Sequence, residues 1–370
     1  MTVPSLPAPP LDPGTVERAW VSIDHPGWTQ AHAPSILAAS DHLLVSWFAG
    51  TREGTPDNRI WLARRPLTGG AWSAPRVVAE ADVAHWNPVL AHGPDGATWL
   101  FYKRGARISA WTTWVLVSHD GGATWSAPRP LVAGDVGGRG PVKNPPVLLP
   151  SGTWLAPAST EAWEPELRWQ PFVDRSTDGG TTWQAVEIPV DHSALDGAGL
   201  IQPALWLDGE HVHALMRTTE GWAYHSTSDD DGATWYPARP TTLPNNNSGL
   251  CAAAVPGGVA VVHNPVSENW GPRCPLVLSL STDGCRTWRT VATIEDGRTP
   301  VPGEPRLEPS LPGSTSGFLG ADDGVVTDGT GEYSYPAAVV HGAELHIVYT
   351  WQRRGVVHAS VPLDRVTNPR

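Results

Sequence analysis

Four arginines stand where short apolar strands begin or end. Arg217 closes HVHALMR, Arg273 immediately precedes PLVLSLS, Arg52 follows HLLVSWFAG, and Arg353 follows ELHIVYTW. A guanidinium fork meets a planar carboxylate through two parallel N–H donors, which a lone ammonium cannot do. The chain carries 37 acidic against 25 basic residues, a formal charge of −12, and only two of the basic residues are lysines. An anionic ligand therefore has to be met by such a local cluster. Three carboxylates follow strand ends in the same way, Glu53, Asp57 and Glu161, and are candidates for proton transfer. Tyr335, at the start of YSYPAAVV, is a candidate nucleophile or acid. These residue types together point to a carboxylated ligand, such as an acidic sugar, handled beside groups able to move protons.

The elements that must bring them together are repeats. With 38 Gly and 38 Pro in 370 residues a helical protein is excluded, while 20 Trp and only 17% charged residues exclude a disordered one. Ser-x-Asp-x-Gly-x-Thr-Trp occurs as SHDGGATW, STDGGTTW, SDDDGATW and, with Cys285 in place of Gly, STDGCRTW; an eroded copy ends RPLTGGAW. The Trp residues closing these copies, at 72, 125, 183, 235 and 288, are separated by 53, 58, 52 and 53 residues. Each copy lies between apolar strands and reads as a hairpin turn in which Asp and Ser accept backbone N–H groups and Trp packs on the neighbouring unit.

A second repeat lies upstream of each hairpin: HAPSIL, WNPVLA, KNPPVLL, IQPALWL, NNSGLCAAAV and YSYPAAVV, each followed by an alternating strand. Six such units predict an all-β, six-bladed β-propeller, folded as a single domain over residues 1–370. The last unit supplies three strands, so the N-terminal segment Val16 to Ile23 is expected to close its blade as the fourth. Residues 296–331 show neither periodicity and read as a long inserted loop.

In a propeller the innermost strands run in one direction along the axis, so the residues at their starts share one mouth of the channel. That ring contains His32, Trp86, Asn87, Lys143, Asn144, Gln202, Asn246, Asn247 and Tyr335. The returning strands bring Arg52, Glu53, Asp57, Glu161, Arg217 and Arg353 to the same face, and Arg273 joins them. The expected ligand-binding set is Arg217, Arg273, Arg52, His32, Gln202, Asn87, Lys143, Asn247 and Glu161, with Tyr335, Asp57 and Glu53 as the expected catalytic groups.

The Ser-x-Asp-x-Gly-x-Thr-Trp motifs resemble the Asp boxes of sialidases (neuraminidases) and related BNR-repeat proteins. The segments AHAPSI, FAGTREG, RGPVKN, PASTE, IQPALW, NNNSGL and EYSYPA extend that resemblance from about His32 to His358. It implies a glycoside hydrolase of exo-sialidase type, with Arg217 and Arg273 as two members of an arginine triad, Tyr335 as nucleophile and Asp57, then Glu53, as acid/base. Two positions depart from the family pattern: the first-blade arginine falls on His32, and the glutamate that assists the tyrosine falls on Gln202. The glutamate that steadies the missing arginine falls near Thr350.

The function expected is removal of a terminal acidic sugar, sialic acid or a related carboxylated sugar, from an oligosaccharide or glycoside. One alternative is a polysaccharide lyase on uronate-containing glycans, with His32 or His85 abstracting the C5 proton and Tyr335 protonating the leaving oxygen. Another is a carbohydrate-binding propeller without turnover. The acidic balance disfavours nucleic acid and anionic membrane as partners. Cys251, Cys274 and Cys285 lack metal-ligand spacing, and the first residues lack a basic start and an apolar core. No cofactor, no metal and a cytoplasmic location are therefore expected.

Overall fold

The computed structural model describes residues 8–209, 211–303 and 331–368. The repeats form six four-stranded antiparallel sheets arranged as the blades of a propeller. Blade one runs through Gln30–Ala38, His42–Gly50, Arg59–Pro66 and Arg76–Ala79 from the axis outward, and blade two through His85–His92, Thr98–Arg104, Thr112–Ser118 and Arg129–Pro130. In blade three the inner strand shrinks to Val147–Leu148, ahead of Trp154–Ala162, Arg168–Ser176 and Gln184–Glu187. Blade four is Leu200–Leu207, Val212–Thr218, Trp222–Ser228 and Arg239–Pro244; blade five is Cys251–Val255, Gly258–His263, Leu276–Ser281 and Arg289–Glu295. Blade six takes Tyr333–His341, Glu344–Trp351 and Gly355–Pro362 from the C-terminal part of the chain.

The fourth strand of blade six is the N-terminal Glu17–Ile23, which pairs antiparallel with Gly355–Pro362 as expected. Arg18 on that strand is buried and bonds Glu295 of blade five, so the closing strand is tied across the blade boundary as well as along its own sheet. Inner strands of neighbouring blades contact one another around the axis, from blade one to two, three to four, four to five and five to six, and the inner strand of blade six meets that of blade one. Residues 304–330, most of the segment read as an inserted loop, lie outside the described residues. No helix among the described residues is long and apolar enough to cross a membrane.

The Asp boxes are turns held by side-chain-to-backbone bonds. In the first, the Ser118 hydroxyl donates to Asp120 (2.7 Å) and accepts from the Gly122 N–H (2.8 Å), while Asp120 accepts from the Thr124 N–H (2.8 Å) and hydroxyl (2.6 Å). The other three boxes repeat the pattern. The closing indoles pack between blades. Trp183 lies 5.3 Å from the fully buried Trp154, which in turn meets Trp99 edge-on at 5.1 Å. Trp235 and Trp288 are buried likewise, but Trp125 is only half-buried, packed against the core shared by blades one and two.

One irregularity recurs on the inner strands. The pairing register slips between His32 and Ser35, Trp86 and Val89, Ile201 and Ala204, and Ser334 and Ala337, two residues opposing one each time. The first residue of each bulge has a positive φ: Ala33 at 51°, Asn87 at 40°, Gln202 at 56° and Tyr335 at 51°; Asn247 in blade five reaches 59°. A proline follows in each of the four slips, and since proline has no N–H to donate, the ladder loses no donor there. A bulge re-aims side chains, and left-handed backbone at non-glycine residues persists where surrounding structure enforces it, often at functional sites. Here five of them ring one mouth of the channel.

Candidate active site

A cavity of about 430 Å³ opens at that mouth. Its floor holds Arg217, Arg273, Arg353, Tyr335 and Gln202, and its walls carry Glu53, Glu161, Asn87 and five tryptophans, Trp86, Trp111, Trp163, Trp169 and Trp270. The half-buried Tyr335 comes from the bulge of blade six, and Gln202 from the equivalent bulge of blade four. Arg217 ends the second strand of blade four, opposite Ile201 in the ladder, so the same bulge that turns Gln202 inward sets the height of the guanidinium.

Arg217 is fully held. Its Nε donates to the Asn247 side-chain oxygen (2.7 Å), and its Nη1 to the Tyr335 hydroxyl (2.7 Å) and the Gln202 side-chain oxygen (3.3 Å). The guanidinium lies 5.6–5.8 Å from the ring centres of Trp270, Trp169 and Tyr335. Arg273 sits 5.5 Å from the Tyr335 ring and donates to Glu332 Oε1 (2.8 Å). The same oxygen accepts from Arg353 Nε (3.0 Å) and the Ser334 hydroxyl (2.8 Å). Arg353 Nη1 reaches Glu53 on blade one, so two carboxylates bracket it. Burial alone would keep Glu332 protonated, but Arg353 and Arg273 outweigh it and hold its carboxyl below the usual range. Desolvation likewise works against the charge of Arg353, and Glu332 and Glu53 reverse that and raise it.

Among the described residues, three guanidinium groups thus face two paired carboxylates, Glu53 and Glu332, leaving one positive charge without a local counterpart. Glu161 is only partly ionised at neutral pH and so offsets only part of that charge. Desolvation pushes its carboxyl up to about 7, against the pull of Arg217, and the charge of Glu53 raises it further. Two carboxyl groups in one cavity, Glu53 paired with Arg353 and Glu161 pushed up by burial, are an environment in which acid and base roles separate.

Several expected residues lie elsewhere. Asp57 does not line the cavity: its exposed carboxylate accepts from the Thr51 N–H (2.8 Å), the Thr51 hydroxyl (2.7 Å) and the Thr55 hydroxyl (2.5 Å), which makes it the cap of its own loop. Arg52 is exposed and faces a neighbouring cavity. His32 is buried behind Tyr335, ring centres 4.3 Å apart, with Nδ1 bonded to the Thr350 hydroxyl (2.9 Å). Burial and four nearby cations, Arg353 foremost, hold this imidazole well below its ordinary pKa and therefore neutral. Two of the positions that depart from the family pattern, His32 and Thr350, are thus partners in one contact. His85 is also buried, bonded to the Val83 carbonyl (2.9 Å) and stacked on Tyr102, and burial lowers it to about 4. Neither imidazole lines the cavity, so neither stands where the expected lyase base would have to be.

Lys143 and Asn247 act beneath the floor. Lys143 Nζ donates to the carbonyls of Leu250 (2.9 Å) and Pro336 (2.6 Å), joining blades three, five and six directly behind Tyr335. Asn247 holds Arg217 and donates onward to Asn269 (3.0 Å). Sequence reasoning missed Glu332 and the aromatic wall beyond Trp86. Glu332 stands immediately before the strand that carries Tyr335, and that position was its only available signal. Among the described residues no group of three or more His, Cys, Asp or Glu is placed to hold a metal ion.

With the geometry established, comparison with known proteins is informative. The BNR repeat-like domain matches residues 41–347. No curated protein matches this chain in sequence. Among solved structures, a protein of unknown function from Dyadobacter fermentans superposes with a TM-score of 0.70 at 14% identity, over 97% of this chain and 100% of that one. A Trypanosoma rangeli sialidase in complex with sialic acid gives 0.64 at 12% identity, over 95% of this chain and 59% of its own length. A mutant NanB sialidase from Streptococcus pneumoniae gives 0.66 at 12% identity, over 91% and 69%. This chain therefore spans about three fifths of the trypanosomal protein. At such identities the likeness is one of fold.

Proposed function

The chain belongs to the BNR repeat-like domain family, and from that premise we propose that it is a sialidase-like glycoside hydrolase that removes a terminal carboxylated sugar. One observation carries the proposal: Arg217, Arg273 and Arg353 converge on a cavity that also holds Tyr335, with one positive charge in excess of the carboxylates that pair with them. A monoanionic ligand balances that excess, and guanidinium groups fixed in advance by Asn247, Glu332 and Glu53 lose little freedom on meeting it.

In this mechanism the Tyr335 oxygen attacks the anomeric carbon, and its phenolic proton passes to Glu53, the Arg353-paired carboxylate of the same cavity, once bound substrate brings the two within reach. Glu161 gives its proton to the departing glycosidic oxygen. The Glu161 carboxylate so formed then takes a proton from the water that releases the sugar from Tyr335. The acid role falls to Glu161 because Asp57 is committed to its own loop.

A second reading, a carbohydrate-binding propeller without turnover, draws on Gln202. Gln202 Nε2 (3.5 Å) and Arg217 Nη1 both donate to the Tyr335 oxygen, and among the described residues no acceptor stands within bonding distance of the phenolic proton. Incubation with glycosides of acidic sugars, followed by NMR, separates the readings. Release of the free sugar is expected. An unsaturated uronate product, or binding without any product, would refute hydrolysis.

A further inference from the structure

A second cavity, of about 690 Å³, adjoins the arginine site, and the two share Glu53, Trp86, Ile108 and Trp163 as a common wall. It lies between the loop after the second strand of blade one, the turn Ile108–Ala110 of blade two, and the end of strand Trp154–Ala162 of blade three. Its remaining lining includes the polar Arg52, Thr55, Arg107, Ser109 and Glu164, beside Gly54, Ala106 and Ala162.

The walls are built in advance. Asp57 fastens Thr51 and Thr55, and Asn58 Nδ2 donates to the carbonyls of Arg52 and Thr55 (2.9 Å for the latter), so the blade-one loop keeps its shape without a ligand. Trp86 is oriented by its Nε1, which donates to the Gly105 carbonyl (2.8 Å), and by edge-on packing against Trp111, ring centres 5.7 Å apart. Thus the Asp57 carboxylate, which serves no purpose in the arginine site, shapes this one.

Cleaving a glycosidic bond requires room on both sides of it. If the acidic sugar occupies the arginine cavity, the adjoining cavity offers its leaving group room beyond the shared wall, which carries Glu53 and the indoles of Trp86 and Trp163. A sugar ring offers C–H faces that pack on indoles and a rim of hydroxyls that bond to guanidinium, hydroxyl and carboxylate groups, and this cavity presents both. An aliphatic aglycone would use the indoles alone.

We propose that the second cavity is the subsite for a leaving-group saccharide, so that the substrate is the acidic end of an oligosaccharide in preference to a small glycoside. This inference rests on the hydrolase reading above. Arg52 then serves sugar hydroxyls, at a place removed from the carboxylate it was first expected to bind.

The test compares kcat/KM for a methyl glycoside of the acidic sugar with that for the same sugar linked to a neutral disaccharide. The wild type is expected to favour the longer substrate roughly tenfold or more, the scale on which pocket contacts discriminate. Ser109→Trp, which fills the cavity from an exposed turn, and Arg107→Ala are each expected to bring that ratio towards one. A ratio near one in the wild type, or one unmoved by both substitutions, overturns the proposal. Should neither substrate be cleaved, the hydrolase reading fails, and the subsite is read separately by calorimetric titration with the neutral disaccharide. Heat of binding to the wild type that is lost in Ser109→Trp supports the subsite, and no binding to the wild type overturns it.

Discussion

Replacing Glu161 by Gln removes a group for which ionisation and folding are opposed. With the carboxyl held at about 7 against an ordinary 4.5, ionising it in the folded protein costs about 3 kcal/mol, at about 1.4 kcal/mol per pKa step. The folded value lies above the unfolded one, so the wild type takes up a proton on folding and loses this stability as pH rises from about 4.5 through 7. Glutamine cannot ionise. Glu161→Gln is therefore expected to unfold in denaturant with the same free energy as the wild type near pH 4.5, and to be more stable by roughly 2–3 kcal/mol near pH 8, the lower figure allowing for the partial exposure of the site. The same substitution removes the proposed proton donor. The kcat/KM for a natural sugar leaving group should fall roughly 10²–10⁴-fold, and that for an activated aryl leaving group, which departs without a proton, far less, while the shared water-attack step slows kcat for both. Wild-type kcat/KM should decline as pH rises past about 7. A stability difference that does not change with pH, or equal losses of kcat/KM on the two leaving groups, would refute the assignment.

Tyr335→Phe should bind the acidic sugar but form no covalent adduct with a fluorinated sugar of the same type, as read by intact mass. Arg353→Met deprives buried Glu332 and Glu53 of a shared partner and should lower stability by roughly 3–5 kcal/mol in denaturant titration, the range for breaking a buried ion pair. Trp183→Ala opens a cavity against Trp154 and should cost roughly 3–5 kcal/mol, with activity per folded molecule unchanged.

The architecture was legible because it is repeated. Four Asp boxes recur at near-regular spacing and six inner-strand starts share one pattern, and the missing fourth strand of the last blade could be assigned to residues 16–23 by elimination. Arg217, Arg273 and Tyr335 were legible for the same reason, since a residue at a strand end inherits its position from the blade. Glu332 was not, because the ring rule begins at the strand and this carboxylate precedes it by one residue. Asp57 was misread because a loop carboxylate can reach a pocket or cap its own turn; Thr51 and Thr55 beside it favour the cap. The aromatic wall gathers Trp86, Trp111, Trp163, Trp169 and Trp270 from three blades without common spacing, and in a chain with 20 Trp no pattern marks these five. His32 and Thr350 are far apart in sequence, so their bond emerges only from ring closure.

Calorimetric titration of the wild type with an acidic sugar and with its carboxyl-reduced counterpart tests the central claim most directly, because the two ligands differ only in the group the arginines are built to meet. Charge-assisted bonds of roughly 1.5–3 kcal/mol each, from at least two of Arg217, Arg273 and Arg353, predict that reduction weakens binding by roughly a hundredfold or more. Equal affinity for the two sugars would contradict the account.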